Sequence, residues 1–242
     1  MPFLTARWSN LCLVTYAVPP GFLHDRVPRG LELDLREGQA FVSLVAFDFL
    51  DTRVLGVAWP GYRNFAEINL RYYVRTAGDE RGVVFVREFV PHRVVAWLAR
   101  LLYNEPYQAA LVSSQLSDSP SQLTADYRLT WRGRTYRLAV TGRKPAHDVA
   151  ADSVEHFFKE HHWGFGVDRR GQLIRYAVEH PVWQIYPVQS VELDWDWGAI
   201  YGPEWELLRG RTPYSTIFAV GSPVAVYRKR EVPELAWAAS PA

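Results

Sequence analysis

The chain of 242 residues contains one cysteine, one methionine and three lysines, and none of the lysines falls within the first 143 residues. A single Cys12 excludes an intramolecular disulfide and any zinc site built on paired cysteines. It stands in Leu11-Cys12-Leu13-Val14, where a thiol serves as a small buried hydrophobe. Lys144, Lys159 and Lys229 confine amine chemistry to the later part of the chain, and arginine carries nearly all the positive charge. No eighteen apolar residues run together, and the opening Met-Pro-Phe-Leu-Thr-Ala-Arg-Trp has no basic segment followed by an apolar one. Membrane spans and a secretory leader are therefore not expected, and a cytoplasmic location is. The formal net charge is +1 with basic residues scattered, which leaves no electrostatic footprint for nucleic acid or an anionic membrane. A P-loop, a Gly-x-Ser-x-Gly elbow and a fixed-period repeat are all missing, and Gly164-Phe165-Gly166 lacks the third glycine of a dinucleotide loop.

What is present is apolar and aromatic: 48% hydrophobic and 14% aromatic residues, enough for a sizeable core. The stretch Phe65-Ala66-Glu67-Ile68-Asn69-Leu70-Arg71-Tyr72-Tyr73-Val74 alternates without interruption, the pattern of a β-strand. Ala66, Ile68, Leu70, Tyr72 and Val74 share one face, and Glu67, Asn69, Arg71 and Tyr73 share the other. Residues two apart on a strand stand roughly 6.6 Å from each other, so acid, amide and base form one line. On an open sheet that line is a wet face; inside a closed barrel it is a polar site.

Strands are also expected at 10–18, at 39–49 (buried on both faces), at 83–89 after a hairpin loop, and as a meander over 107–117, 123–131 and 134–141. Further strands are expected at 171–180 and 183–195. A helix is expected over 91–103, where Val94, Val95, Leu98, Leu101 and Leu102 recur at helical spacing behind Pro91, and another after the cap signal Asp152-Ser153-Val154-Glu155. About ten strands and two or three helices predict one continuous, mainly antiparallel α+β domain over 1–242, loosely held from about 233. His156 and His161 are five apart, not the four that a helical zinc pair needs, so no metal site is expected there. His180 precedes Pro181, which holds its backbone extended for a binding site or for a plain turn. Arg128 faces either the interior of Arg71 or water.

Five blocks then carry a resemblance: Trp8-Ser9-Asn10, Val27-Pro28-Arg29-Gly30-Leu31-Glu32-Leu33, the strand 65–74, Pro106-Tyr107, and Val178-Glu179-His180-Pro181-Val182-Trp183. In order and spacing the chain resembles the YqjF-like family of uncharacterised bacterial proteins, itself similar in fold to acetoacetate decarboxylase. The resemblance implies a closed, antiparallel double-cone β-barrel around a cavity that the polar face of 67, 69, 71 and 73 would line. It places Glu67 at the position of a catalytic glutamate. It also implies a Schiff-base lysine pair after strand 83–89, where this chain has Arg87, Arg93 and Tyr107 and no lysine. Arginine stays protonated and cannot replace a nucleophilic amine. The expected protein therefore binds a small, carboxylate-bearing molecule through Asn69, Arg71, Tyr73, Tyr107, Arg128 and His180, with no cofactor, metal or Schiff-base decarboxylation. The alternative is an enzyme using Glu67 as acid or base on a small keto or carboxylic acid. A small molecule is the expected partner rather than nucleic acid or membrane, and a homo-oligomer is left open.

Overall fold

β-Branched and aromatic runs become strands almost wherever they occur in this chain. The structure is a computed structural model describing residues 1–232, apart from the side chains of Leu102 and Tyr103; the tail from 233 lies outside the described residues. In chain order β1 (Leu4–Val18), helix α1 (Pro20–Leu23), β2 (Glu32–Leu33), β3 (Ala40–Val54), β4 (Phe65–Arg75) and β5 (Arg81–Val90) lead to helix α2 (Arg93–Tyr103). Next come β6 (Tyr107–Ala109), β7 (Leu111–Asp118), β8 (Gln122–Trp131), β9 (Arg134–Arg143) and helix α3 (Val154–Lys159). The remainder holds β10 (Trp163–Val167), β11 (Leu173–Glu179), β12 (Ile185–Tyr186), β13 (Val188–Asp194), helix α4 (Trp197–Tyr201), β14 (Ser215–Val226) and β15 (Arg230–Glu231).

The expected strand 183–195 is split at Pro187, which has no N–H to give a ladder, and 107–117 is interrupted at Ala110. Ser153 caps α3 by accepting from the His156 amide at 3.1 Å. Asn104, in the left-handed region at φ 55°, ends α2.

Seven strands follow one another in the order β14-β1-β3-β4-β5-β10-β11, and β11 pairs back onto β14 through Val178 with Val226 and Glu179 with Ala225. The sheet thus closes on itself as a ring. Its pairings are antiparallel except that β10 and the short β6 both run parallel to β5, in keeping with the mainly antiparallel domain expected from sequence. The long excursion between β5 and β10 supplies the crossover that a parallel pair requires.

That excursion contains a second, antiparallel sheet in the order β13-β9-β8-β7. Its Leu123, Ala125, Tyr127 and Leu129 pack in one core with Cys12, Val14, Ala46, Ile68, Leu70 and Tyr72 from the outer face of the ring. The opposite, inner face carries Leu11, Leu13, Val45, Phe47 and Phe49. β3 is buried on both faces because one looks into the ring and the other under the second sheet. A polar knot joins the layers: Asp48 accepts from Asn10 Nδ2 (3.1 Å), Ser114 Oγ (2.6 Å) and Tyr127 Oη (3.2 Å).

Candidate functional site

The inner face of the ring bounds a cavity of about 190 Å³. β1 and β3 give it an apolar wall that includes Trp8, Phe47 and Phe49, while β4 presents Glu67, Asn69 and Arg71 from alternate positions. Val95, Leu98 and Ala99 of α2 roof it. Phe85 and Glu88 of β5 both reach the cavity although they are three apart, which a regular strand forbids. The register supplies the reason: Leu70 faces Arg87 and Arg71 faces Phe85, so Val86 is an extra, bulged residue that resets the alternation.

Glu67 is 2% exposed; its Oε1 accepts from Asn69 Nδ2 at 3.0 Å and its Oε2 from Tyr107 Oη at 3.1 Å. Glu88 and Glu105 are buried beside it. Burial outweighs these hydrogen bonds and pushes the Glu67 carboxyl up to about 7. Burial, followed by the neighbouring charges of Glu67 and Glu105, raises Glu88 well above the carboxylate range. Burial likewise raises Glu105 to about 8, against a hydrogen bond from Tyr176. At neutral pH the cluster therefore has one half-ionised acid next to two mostly protonated ones. Tyr176 comes this close because its partner across the β10–β11 ladder is Gly164, where any Cβ would collide with the phenol ring.

Arg71 stands away from the acids. It donates to the Phe158 carbonyl at 3.2 Å and lies 5.6 Å from the Tyr73 ring, while its Nε is buried without a partner. Arg71 also lines a smaller side chamber of about 40 Å³ together with Trp8, Lys159, His161, His180 and Trp183. In it His180 stacks on Trp183 at 4.2 Å, and burial lowers its pKa. Burial also lowers His161, to about 4; its Nε2 meets Asp34 at 2.9 Å, and Arg81 holds the same carboxylate at 2.6 Å. Among the described residues no group of three or more His, Cys, Asp or Glu converges as metal ligands.

Of the residues singled out from sequence, Glu67, Asn69, Arg71 and Tyr107 line the cavity and His180 lines its side chamber. Two do not join them. Tyr73 shares the Glu67 face but is sealed beneath α3, with its hydroxyl 2.5 Å from Ser43 Oγ and its ring against Phe158 and His161. Arg128 points to solvent on the outer face of β8 and pairs with Asp126 at 3.3 Å, because the alternate residues Tyr127 and Leu129 are the ones packed on the ring. Glu88, Glu105, Tyr176 and Lys159 were missed. Glu105 precedes Pro106 just as His180 precedes Pro181, a signal open to the same argument; the bulge that aims Glu88 inward has no mark in the sequence.

The fold and cavity define a class of ring-forming, mainly β proteins with acids buried around a small internal space. Three solved structures share the fold: acetoacetate decarboxylase from Legionella pneumophila (TM-score 0.64, 16% identity, 96% of this chain and 88% of that one); the enduracididine biosynthesis enzyme MppR complexed with pyruvate (0.66, 14%, 97% and 92%); and an acetoacetate decarboxylase-like enzyme from Sphingomonas wittichii RW1 (0.66, 13%, 96% and 94%). At these identities the likeness is one of fold. Residues 5–223 match DUF2071, a family of uncharacterized conserved proteins, and the chain belongs to it. It is 36% identical over 110 residues to the uncharacterized protein YqjF of Bacillus subtilis (strain 168), a match spanning 45% of this chain and 45% of that protein. No described helix is long and apolar enough to cross a membrane.

Proposed function

We propose that this protein binds a small oxo acid in the cavity, with the ligand's carboxylate toward Arg71, and moves a proton on it with Glu67. The observation that carries the reading is the state of Glu67: buried, paired with no arginine and raised to about 7, it can take up and release a proton near neutral pH. An acid held by Arg71 would have kept a low pKa and a structural role. Glu67 as carboxylate would accept a proton from the carbon next to the ligand's carbonyl, and a neutral neighbouring acid would donate a hydrogen bond to the enolate oxygen left behind. Arg71, with a planar fork and a buried Nε free of partners, suits the two oxygens of a carboxylate. The ring of strands is read here as a closed double-cone barrel, in keeping with the acetoacetate decarboxylase fold. The pyruvate held by the similarly folded MppR supports the ligand class. A Schiff-base lysine is not part of the reading, since β4, β5 and α2 carry none.

The test is hydrogen exchange in D2O on a panel of 2- and 3-oxo acids, followed by proton NMR. The protein should accelerate loss of the signal beside the carbonyl for at least one member, and Glu67→Gln should reduce that rate by roughly 100-fold or more. Background rates across the panel, or an unchanged rate in Glu67→Gln, would overturn the proposal.

A further inference from the structure

Lys159 has no role in the chemistry above, yet its side chain is 0% exposed. Its Nζ donates to Glu160 Oε1 at 3.1 Å and lies 5.8 Å from the centre of the Trp183 ring. The other Glu160 oxygen, Oε2, is 3.2 Å from His162 Nε2 at the half-exposed outer end of this network. Lys159 is tied to Arg71 by sequence as well as by space, since the carbonyl that Arg71 holds belongs to Phe158, the preceding residue. Both cations line the 40 Å³ side chamber that shares Arg71, Trp8 and Trp183 with the main cavity. A volume of that size accommodates a carboxylate, or about two or three waters.

The chamber has more orphaned donors than acceptors, His161 Nδ1 being the unpartnered acceptor on its lining. Arg71 Nε and Trp8 Nε1 are buried with no partner, and each of these residues lines the chamber. Buried N–H groups in such a state point to an acceptor that the protein itself does not supply. Arg71, Lys159 and Glu160 together leave one positive charge, and His161 and His180 are neutral at pH 7. A single carboxylate balances that charge, whereas a second one would enter a dry site without a counter-ion.

We infer that the side chamber is the carboxylate seat of the ligand and that Lys159, held by Glu160, is its second cation beside Arg71. The inference rests on the proposed function and adds the seat and its selectivity: a monocarboxylate whose apolar body reaches back over Trp8 and Trp183 toward Glu67.

The probes are benzoate and butanoate, each set against its amide, and butanedioate as the dianion. The chain has three lysines, so protein labelled with 13C at the lysine Cε gives three resonances, assigned through the surface variants Lys144→Arg and Lys229→Arg. Benzoate or butanoate should shift the Lys159 resonance alone, and neither amide should shift it. Lys159→Met should narrow the carboxylate-over-amide affinity ratio roughly tenfold or more while leaving amide affinity in place, as expected when a hydrogen bond to a charged group is removed. Butanedioate should bind more weakly than butanoate. The inference fails if the Lys159 resonance stays still while benzoate binds, if Lys159→Met weakens acid and amide alike, or if butanedioate binds as well as butanoate. If Arg71→Gln abolishes carboxylate preference and Lys159→Met does not, the seat lies on Arg71 alone and the proposed function stands. If no monocarboxylate binds the wild-type protein, the underlying reading falls as well.

Discussion

At the scale of single residues, two groups on one strand hold opposite ends of the proposed chemistry. Glu67 and Arg71 are four apart, roughly 13 Å along β4, and do not pair. Glu67→Gln is expected to remove proton transfer without weakening ligand binding, since it takes away a partial like charge. Arg71→Lys should weaken carboxylate binding, because a point charge replaces a two-pronged donor. Calorimetry with benzoate checks both. The exchange rate should rise as pH climbs through about 7, where Glu67 ionises, and fall above about 8, where Glu105 loses the proton it would donate. A third expectation concerns amines. Lys144 is ion-paired with Asp118 at the surface and Lys159 with Glu160 in the side chamber, so borohydride reduction with acetoacetate should leave the protein's mass unchanged. A covalent adduct on either lysine would overturn it. The line of Glu67, Asn69 and Arg71 could be read from alternation alone. Glu105 and Lys159 could not be placed that way, since a turn and a helix end bring them to the cavity from distant parts of the chain.

At the scale of elements, the second sheet decides which face of the ring strands looks inward. Ile68, Leu70 and Tyr72 were legible as one apolar face, but the sequence does not say that this face lies outside the ring, beneath β8. The same alternation settles Arg128, because Tyr127 and Leu129 are drawn to the ring and Arg128 is left in water. β14, which closes the ring, was not marked from sequence. Its run is broken by Gly221 at φ 90° and by Pro223, both of which read as breakers. Gly221 sits opposite Ser9 on β1, one residue before Asn10, which itself has φ 56°. These irregularities let the strand bend round the cavity. Asp48, where β3 meets the second sheet, ties the layers together. Asp48→Ala would take an acceptor from the half-buried Asn10, the exposed Ser114 and the buried Tyr127. A fully buried unpaired donor costs roughly 1–3 kcal/mol, but water can reach the first two and Tyr127 keeps a second acceptor in the Asn10 carbonyl at 2.9 Å, so a loss of about 1–2 kcal/mol in urea denaturation is expected. A loss under 0.5 kcal/mol would show that the knot does not hold the sheets.

At the scale of the whole molecule, the buried acids set how stability depends on pH. Glu67 and Glu105 sit at about 7 and about 8 in the folded chain against an ordinary 4.5, so between these values the folded state holds more protons than the unfolded one. Their contribution is complete below about 4.5 and is lost as pH rises through 7 and 8. His161 works in the other direction: lowered from 6.5 to about 4, it contributes above 6.5 and its contribution is lost as pH falls toward 4. From pH 5 to 6.5 the raised acids, Glu88 among them, oppose the depressed His161, His180 and His92, and above 6.5 the acids act without that opposition. The unfolding free energy should therefore decline from pH 5 to 8. Glu105→Gln removes the larger of these two shifts, so it should flatten the decline and raise stability at pH 8 by roughly 2–4 kcal/mol, at about 1.4 kcal/mol for each pKa unit. Urea denaturation of wild type and variant at half-unit pH steps measures both slopes. A wild-type curve that is flat or rising over this range, or a variant curve parallel to it, would mean that the acids are hydrated in the folded protein and that the cavity is not the dry space on which proton transfer by Glu67 depends.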